Sequence, residues 1–251
     1  YWLKVYQIPQ GSRGAKGRPL VNMLPLEDGE RITAIQPVGD FEEDSFVFMA
    51  TANGTVKKTP LEQFSRPRPS GLIALQLEEG NTLVDVSMTD GHRDIVLVSS
   101  AGKAVRFKES DVRAMSRTAR GVRGIRLLTD QKLIALIVPE DGGYMLTAAE
   151  FGYGKRTSIS EFPVRGRGTQ GVIAIQTSER NGSVIGARQV FEGDEIMLIS
   201  DQGTLVRTSV DEVSVVGRNT QGVRLIALRE TEKLVGVERI IETEASAPAD
   251  Q

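Results

Sequence analysis

The sequence predicts an all-β chain of propeller-like architecture, and three observations carry that prediction. A pattern of roughly 50 residues recurs along the chain, its apolar segments alternate with period two, and each copy sets glycines at fixed places. The copies begin with an apolar strand, a glycine turn and a short basic strand: "FVFMATANGTVKKT" from Phe46, "IVLVSSAGKAVRF" from Ile95, "YMLTAAEFGYGKRT" from Tyr144 and "IMLISDQGTLVRT" from Ile196. Their turn glycines, Gly54, Gly102, Gly152 and Gly203, are expected to supply the positive φ of tight hairpins.

The second half of each copy opens on another glycine, at Gly71, Gly121, Gly171 and Gly222, in "GLIALQL", "GVRGIRL", "GVIAIQT" and "GVRLIAL". An earlier copy ends at Gly17, so these five glycines are spaced by 54, 50, 50 and 51 residues. Between the halves lies a short segment with room for one helical turn ("PLEQF", "KESDVRAM", "SISEF", "SVDEVS"), and each copy closes on a further strand such as "TLVDVSM". One copy therefore has the size of a blade of about four strands, and radial packing of about five such sheets would protect their edges. The expected repeats are 1–43, 44–92, 93–142, 143–193 and 194–241. The first lacks its opening hairpin, and a start at "YWLKVYQIP" without Met suggests a piece of a longer protein. The tail 242–251, "ETEASAPADQ", with three acids and no base, is expected to be disordered.

At 39% hydrophobic and 25% charged residues, the composition is that of a chain able to bury its own core. Cysteine is absent, which removes disulfides, thiolate zinc sites and cysteine nucleophiles and fits a reducing compartment. Apolar runs such as "LIALIV" at 133–138 fall far short of the roughly 20 residues a spanning helix needs, so neither a membrane segment nor a signal peptide is predicted. The single His92 sits among turn residues. "GYG" at Gly152 and "GRG" at Gly166 lack the helix and Lys-Ser/Thr of a nucleotide loop, and the acid pairs Glu42/Glu43 and Glu78/Glu79 fall in interstrand loops. No catalytic residues and no metal site are predicted.

The functional signal is the distribution of charge. Five corresponding windows, 1–26, 63–77, 112–129, 162–178 and 213–229, hold no Asp or Glu among 93 residues and carry 16 bases. An even spread of the chain's 33 acids over 251 residues would put about 12 there. The bases keep phase with the glycines. Four residues before the second glycine stand Arg13, Arg117, Arg167 and Arg218, with Arg66 and Arg68 flanking Pro67 in the remaining copy; four after the hairpin glycine stand Lys58, Arg106, Arg156 and Arg207. Equivalent positions in equivalent blades lie at equivalent radius and height, so the bases are expected to trace a cationic band. Guanidinium groups and loop amides suit phosphate oxygens and offer little for reading base edges. The band is expected to bind DNA through Arg13, Lys16, Arg18, Lys57, Lys58, Arg66, Arg68, Lys103, Arg106, Arg117, Arg120, Arg123, Lys155, Arg156, Arg165, Arg167, Arg207, Arg218 and Arg224. Joint replacement of Arg117, Arg167 and Arg218 by alanine is expected to weaken that binding and leave folding intact. A protein-binding propeller is the rival reading, and it would favour an apolar or mixed-sign face.

The strings "RGAKGRPLVNMLPLEDGERITAI", "VFMATANGTVKKT", "VRFKESDVRAM", "GVRGIRL" and "VGRNTQGV" closely resemble the C-terminal domain of bacterial DNA gyrase A, over nearly the whole chain. The resemblance implies a β-pinwheel, in which neighbouring blades exchange strands, and a basic perimeter that wraps duplex DNA so that the holoenzyme can introduce negative supercoils. It implies no cofactor for this part, with ATP and Mg2+ belonging to the parent enzyme, a type II DNA topoisomerase. The implied partners are DNA, the catalytic domain of the same polypeptide and gyrase B in an A2B2 complex, with the isolated part monomeric. The implied location is the cytoplasm, at the nucleoid. The family's basic glycine-rich heptapeptide is not found; "GSRGAKG" at Gly11 is a degenerate relative in another repeat position. The corresponding domain of topoisomerase IV is the alternative within the same superfamily.

Overall fold

The computed structural model describes residues 1–12, 14–39, 41 and 44–240. Strands appear in four consecutive repeats. Residues 44–92 form β1 (Phe46–Thr51), β2 (Thr55–Pro60) and β3 (Leu83–Thr89); residues 93–142 form β4 (Asp94–Ser99), β5 (Lys103–Lys108), β6 (Val122–Arg123) and β7 (Leu133–Ile137). Residues 143–193 form β8 (Tyr144–Ala149), β9 (Tyr153–Ser158), β10 (Val172–Ile173) and β11 (Val184–Val190). The last repeat forms β12 (Glu195–Ser200), β13 (Leu205–Ser209), β14 (Val223–Arg224) and β15 (Leu234–Ile240).

These strands make four antiparallel sheets, ordered β3-β1-β2-β6, β10-β5-β4-β7, β11-β8-β9-β14 and β13-β12-β15. A blade is therefore not one copy of the repeat. In each of the first three sheets the strand beside the second hairpin strand comes from the following repeat: Val122 pairs with Val56, Val172 with Ala104, and Val223 with Gly154. This is the strand exchange that the resemblance implied. Residues 71–77, the counterpart of β6, have no preceding hairpin to join among the described residues and form no strand. Among the described residues of 1–39 the regular elements are short 3₁₀ turns, at Val5–Gln7 and Leu20–Asn22, and the four sheets are built by the four later repeats.

Period-two alternation sorts the apolar side chains of the first hairpin strands onto two faces. Ile95 and Leu97 of β4 face one interblade core, with Phe48, Val56, Phe107 and Ile125; Val96 and Val98 face the next, with Met145, Phe162 and Ala174. A third core, around Leu146, Ile196, Leu198 and Val210, joins the last two sheets. Each sheet between two others is thus buried on both faces, the condition that turns an alternating strand into a continuous apolar run such as "IVLV". The closing strands pack in series, β3 on β7, β7 on β11 and β11 on β15. They line the inside of the arrangement, which puts the exchanged strands β6, β10 and β14 at the outer edge.

The two glycine series meet at that edge. The carbonyl of Gly102 accepts hydrogen bonds from the amides of Ala174 (2.8 Å) and Ile175 (3.1 Å), and Gly54 and Gly152 accept in the same way from Gly124 and Ile125 and from Leu225 and Ile226. Hairpin turn and incoming strand are thus joined by main-chain hydrogen bonds.

Candidate nucleic-acid interface

Three of the acid-free windows, 112–129, 162–178 and 213–229, run from a 3₁₀ turn through an exchanged strand, so the topology places them on the outer edges of the sheets. The structure divides the predicted bases into three groups. The first is paired within the protein, and most of it is buried. Lys57 and Lys155, three residues after their hairpin glycines, are fully buried, as are Lys58 and Arg156 to within 6%. Four residues after the hairpin glycine, every base has a carboxylate: Lys58 meets Glu109 at 3.7 Å, Arg106 meets Asp94 at 2.7 Å, Arg156 meets Asp211 at 3.3 Å, and Arg207 pairs with Glu195.

Three of these side chains reach into the next repeat: Lys58 donates to Glu109 O, Arg106 to Ile159 O and Arg156 to Val213 O. Their backbones join the same segments, through single bridges to Ala114, Val164 and Val215. Lys58 and Arg156 also lie over the rings of Phe46 and Tyr144. The expectation of an exposed cationic series at Lys57, Lys58, Lys155 and Arg156 is therefore corrected: these groups latch one repeat to the next. A buried base needs a partner, and the neighbouring repeat supplies it. Replacing Arg156 with methionine should cost about 1 to 3 kcal/mol in urea unfolding, because the Val213 carbonyl loses its donor while the exposed Asp211 returns to water. It should leave the salt dependence of any DNA affinity unchanged.

The second group is half exposed and keeps phase by bridging. Arg117 Nη1 donates to Ile73 O (3.2 Å), Arg167 Nη1 to Arg123 O (3.0 Å) and Arg218 Nη1 to Ile173 O (3.3 Å). Each acceptor lies two residues beyond the second glycine of the preceding repeat, and Arg167 Nε also reaches Asp111 O (2.9 Å). None of the three forms an ion pair with a described carboxylate. The phase seen in the sequence thus has a structural cause besides any ligand, and alanine at all three would remove four inter-repeat bonds. The expectation that folding is untouched is revised accordingly: a loss of about 1 kcal/mol per site is anticipated.

The third group is exposed: Lys16, Arg18, Arg66, Arg68, Arg120, Arg123, Arg165 and Arg224. The first seven have no ion pair with a described carboxylate. Arg224 donates to the Tyr153 hydroxyl (3.2 Å), and both Arg224 and Arg180 lie near its ring. Hydrogen bonding from Arg180, then from Arg224, holds the Tyr153 hydroxyl below its ordinary pKa. Lys103 is half buried and reaches Gln170 at 3.4 Å. Arg66, Arg68 and Arg117 line one cleft between consecutive loops, with Glu62 at its edge. Arg13, Glu42, Glu43 and the tail 242–251 lie outside the described residues. Sequence reasoning passed over exposed Arg113, Arg126 and Arg229, although all three stand in acid-free windows, and Arg180, which only the fold brings to Tyr153. Among the described residues no group of three or more His, Asp or Glu could hold a metal ion, and no helix is long and apolar enough to cross a membrane.

A family model described as DNA gyrase C-terminal domain, beta-propeller, matches residues 1–39, 45–90, 93–140, 143–190 and 194–241. The chain belongs to the DNA gyrase C-terminal domain family. The DNA gyrase A protein of Klebsiella oxytoca is 60% identical over 242 residues, covering 96% of this chain and 28% of that protein, so the chain spans under a third of its relative. A solved DNA gyrase A C-terminal domain superposes with a TM-score of 0.83 at 26% identity, over 96% of this chain and 78% of that one. The C-terminal domain of DNA topoisomerase IV superposes at 0.82 and 26%, over 89% and 70%. The two gyrase-superfamily folds are thus matched equally well by backbone, whereas sequence identity at the 60% level is to gyrase A.

Proposed function

We propose that this chain binds duplex DNA along the outer edges of its sheets, with little regard to sequence, and bends it as part of a gyrase. The observation that carries the reading is the exposed group of bases in windows that contain no acid, with Arg120, Arg123, Arg165 and Arg224 on the exchanged strands and their loops. Lys16, Arg18, Arg66, Arg68, Arg120, Arg123 and Arg165 supply phosphate contacts, joined by the half-exposed Arg117, Arg167 and Arg218 and by Arg224, which hydrogen-bonds Tyr153. Arg13 belongs to the same phased set by sequence. Bending 20 to 30 base pairs by 40 to 90 degrees costs on the order of 1 to 6 kcal/mol, which many such contacts on a curved edge can offset.

The chain itself performs no chemistry in this reading and takes no cofactor. ATP, Mg2+ and strand passage belong to the rest of the parent enzyme, whose catalytic domain and gyrase B are its partners in the bacterial cytoplasm, where the wrapped segment favours negative supercoiling. The identity to gyrase A proteins favours this over a topoisomerase IV role, and the acid-free rim favours DNA over a protein partner.

Anisotropy of a labelled duplex titrated with the chain tests the reading. With six or more phosphates neutralised, affinity should fall at least about a thousandfold between 50 and 200 mM salt. A midpoint that moves by less than about threefold would remove the phosphate contacts from the account.

A further inference from the structure

Two lysines inside the molecule address the rim from below. Lys57 and Lys155 occupy the same position in the first and third hairpins, and neither has an ion pair with a described carboxylate. Lys57 Nζ donates to Ala74 O at 2.8 Å and to Arg117 O; Lys155 Nζ donates to Gly217 O (2.7 Å), Arg218 O (2.6 Å) and Thr220 Oγ1 (3.1 Å). Both ammonium groups therefore hold the main chain of the phased arginine of the next repeat. The three N–H bonds of Lys155 meet three acceptors, a match that a neutral amine, with two N–H bonds and a lone pair, cannot reproduce. The second and fourth hairpins carry Val105 and Val206 at this position.

We infer that Lys57 and Lys155 are positioning residues for DNA: each sets a positive charge beneath a rim loop and fixes the arginine above it, making 112–124 and 213–224 preset phosphate sites. Loop 162–172 between them has no such strut. This rests on the DNA-binding reading and assigns the two loops that grip most firmly.

The charged groups facing the lysines are Arg117 at Lys57, and Glu161 and Arg218 at Lys155. Burial, with smaller contributions from Arg117 and from Arg218 against Glu161, pushes both lysines down to about 8. Phosphates on the rim favour the charged form and draw a proton back, so affinity falls as pH rises through 8. Folding stability has the opposite sign. The folded pKa lies below the unfolded value, so the unfolded chain binds more protons between about pH 8 and 10.5, and stability rises across that window.

The test uses the full chain and its Lys57→Val/Lys155→Val variant, since valine already fills this place in the other hairpins. Duplex binding is measured at fixed salt from pH 7 to 9, and amide exchange is followed without DNA. Wild-type affinity should fall about tenfold over that range, the change that one restored pKa unit gives. The variant should bind about tenfold more weakly at pH 7, show a flat profile, and exchange faster in 112–124 and 213–224 but not in 162–172. A variant with wild-type affinity and pH profile, or with unchanged exchange in both loops, overturns the inference. So does a flat wild-type profile, which requires no variant to fold. A chain whose loops loosen on substitution but which never binds duplex DNA overturns the DNA-binding reading and this inference with it.

Discussion

Gly171→Ala should lose about 3 kcal/mol or more of stability in urea unfolding, and Gly102→Ala a similar amount, each seen as a lower midpoint. Both glycines have positive φ, +78° and +72°, where an L side chain is strained. Strain alone would cost about 1 to 2 kcal/mol. The larger effect is steric. A Cβ on Gly171 would lie 2.1 Å from the carbonyl oxygen of Ala104, and one on Gly102 would lie 2.2 Å from that of Ile175. Those atoms are main chain and cannot swing aside. To relieve either contact, β10 must move off β5, which opens the pairing of Val172 with Ala104 and the bonds from Ala174 and Ile175 to Gly102. Gly203, where a Cβ would meet nothing within 4 Å although φ is +83°, provides the control: its alanine variant should show only the strain. Equal losses at Gly203 and Gly102 would mean that the close approach between repeats contributes little.

The variant Arg120→Ala/Arg123→Ala/Arg165→Ala should keep its unfolding midpoint and lose about two orders of magnitude in affinity for duplex DNA near 0.1 M salt. If each of the three side chains neutralises one phosphate, the slope of log affinity against log salt becomes shallower by about 2.7, which at that concentration corresponds to such a loss. These residues are chosen because they are exposed and form no ion pair with a described carboxylate. The set Arg117, Arg167 and Arg218 would mix two effects, since each also bridges to the preceding repeat. An unchanged slope with intact folding would place the DNA away from the outer edge.

The sequence was informative about the repeat because its causes are local. Gly54, Gly102, Gly152 and Gly203 do turn hairpins, all at positive φ, and the alternation around Ile95 to Val98 does sort side chains onto two faces. The exchange of β6, β10 and β14 was not legible in those local signals, because a two-residue strand of Val and Arg carries no mark of which hairpin it will join. Nor was the division among the bases. Lys57 and Arg66 look alike in a basic, acid-poor stretch, yet one is fully buried under Arg117 and the other is exposed beside it. Asp211 and Glu109, which neutralise Arg156 and Lys58, lie 55 and 51 residues away in sequence. The acid-free windows coincide with exposed bases on the loops; they could not show that each base four residues after a hairpin glycine pairs with a carboxylate of the protein itself.

What the amino-acid order determined by itself is the unit: strand, glycine turn, basic strand, loop, strand, repeated with its charges in phase, because alternation and turn chemistry act over a few residues. What only the tertiary structure decided is which repeat each strand serves and which cations remain at the surface. Both depend on contacts across roughly one repeat length, where main-chain approach at Gly102 and Gly171 and the pairing of buried bases with the neighbouring repeat select one arrangement from several that the local pattern allows.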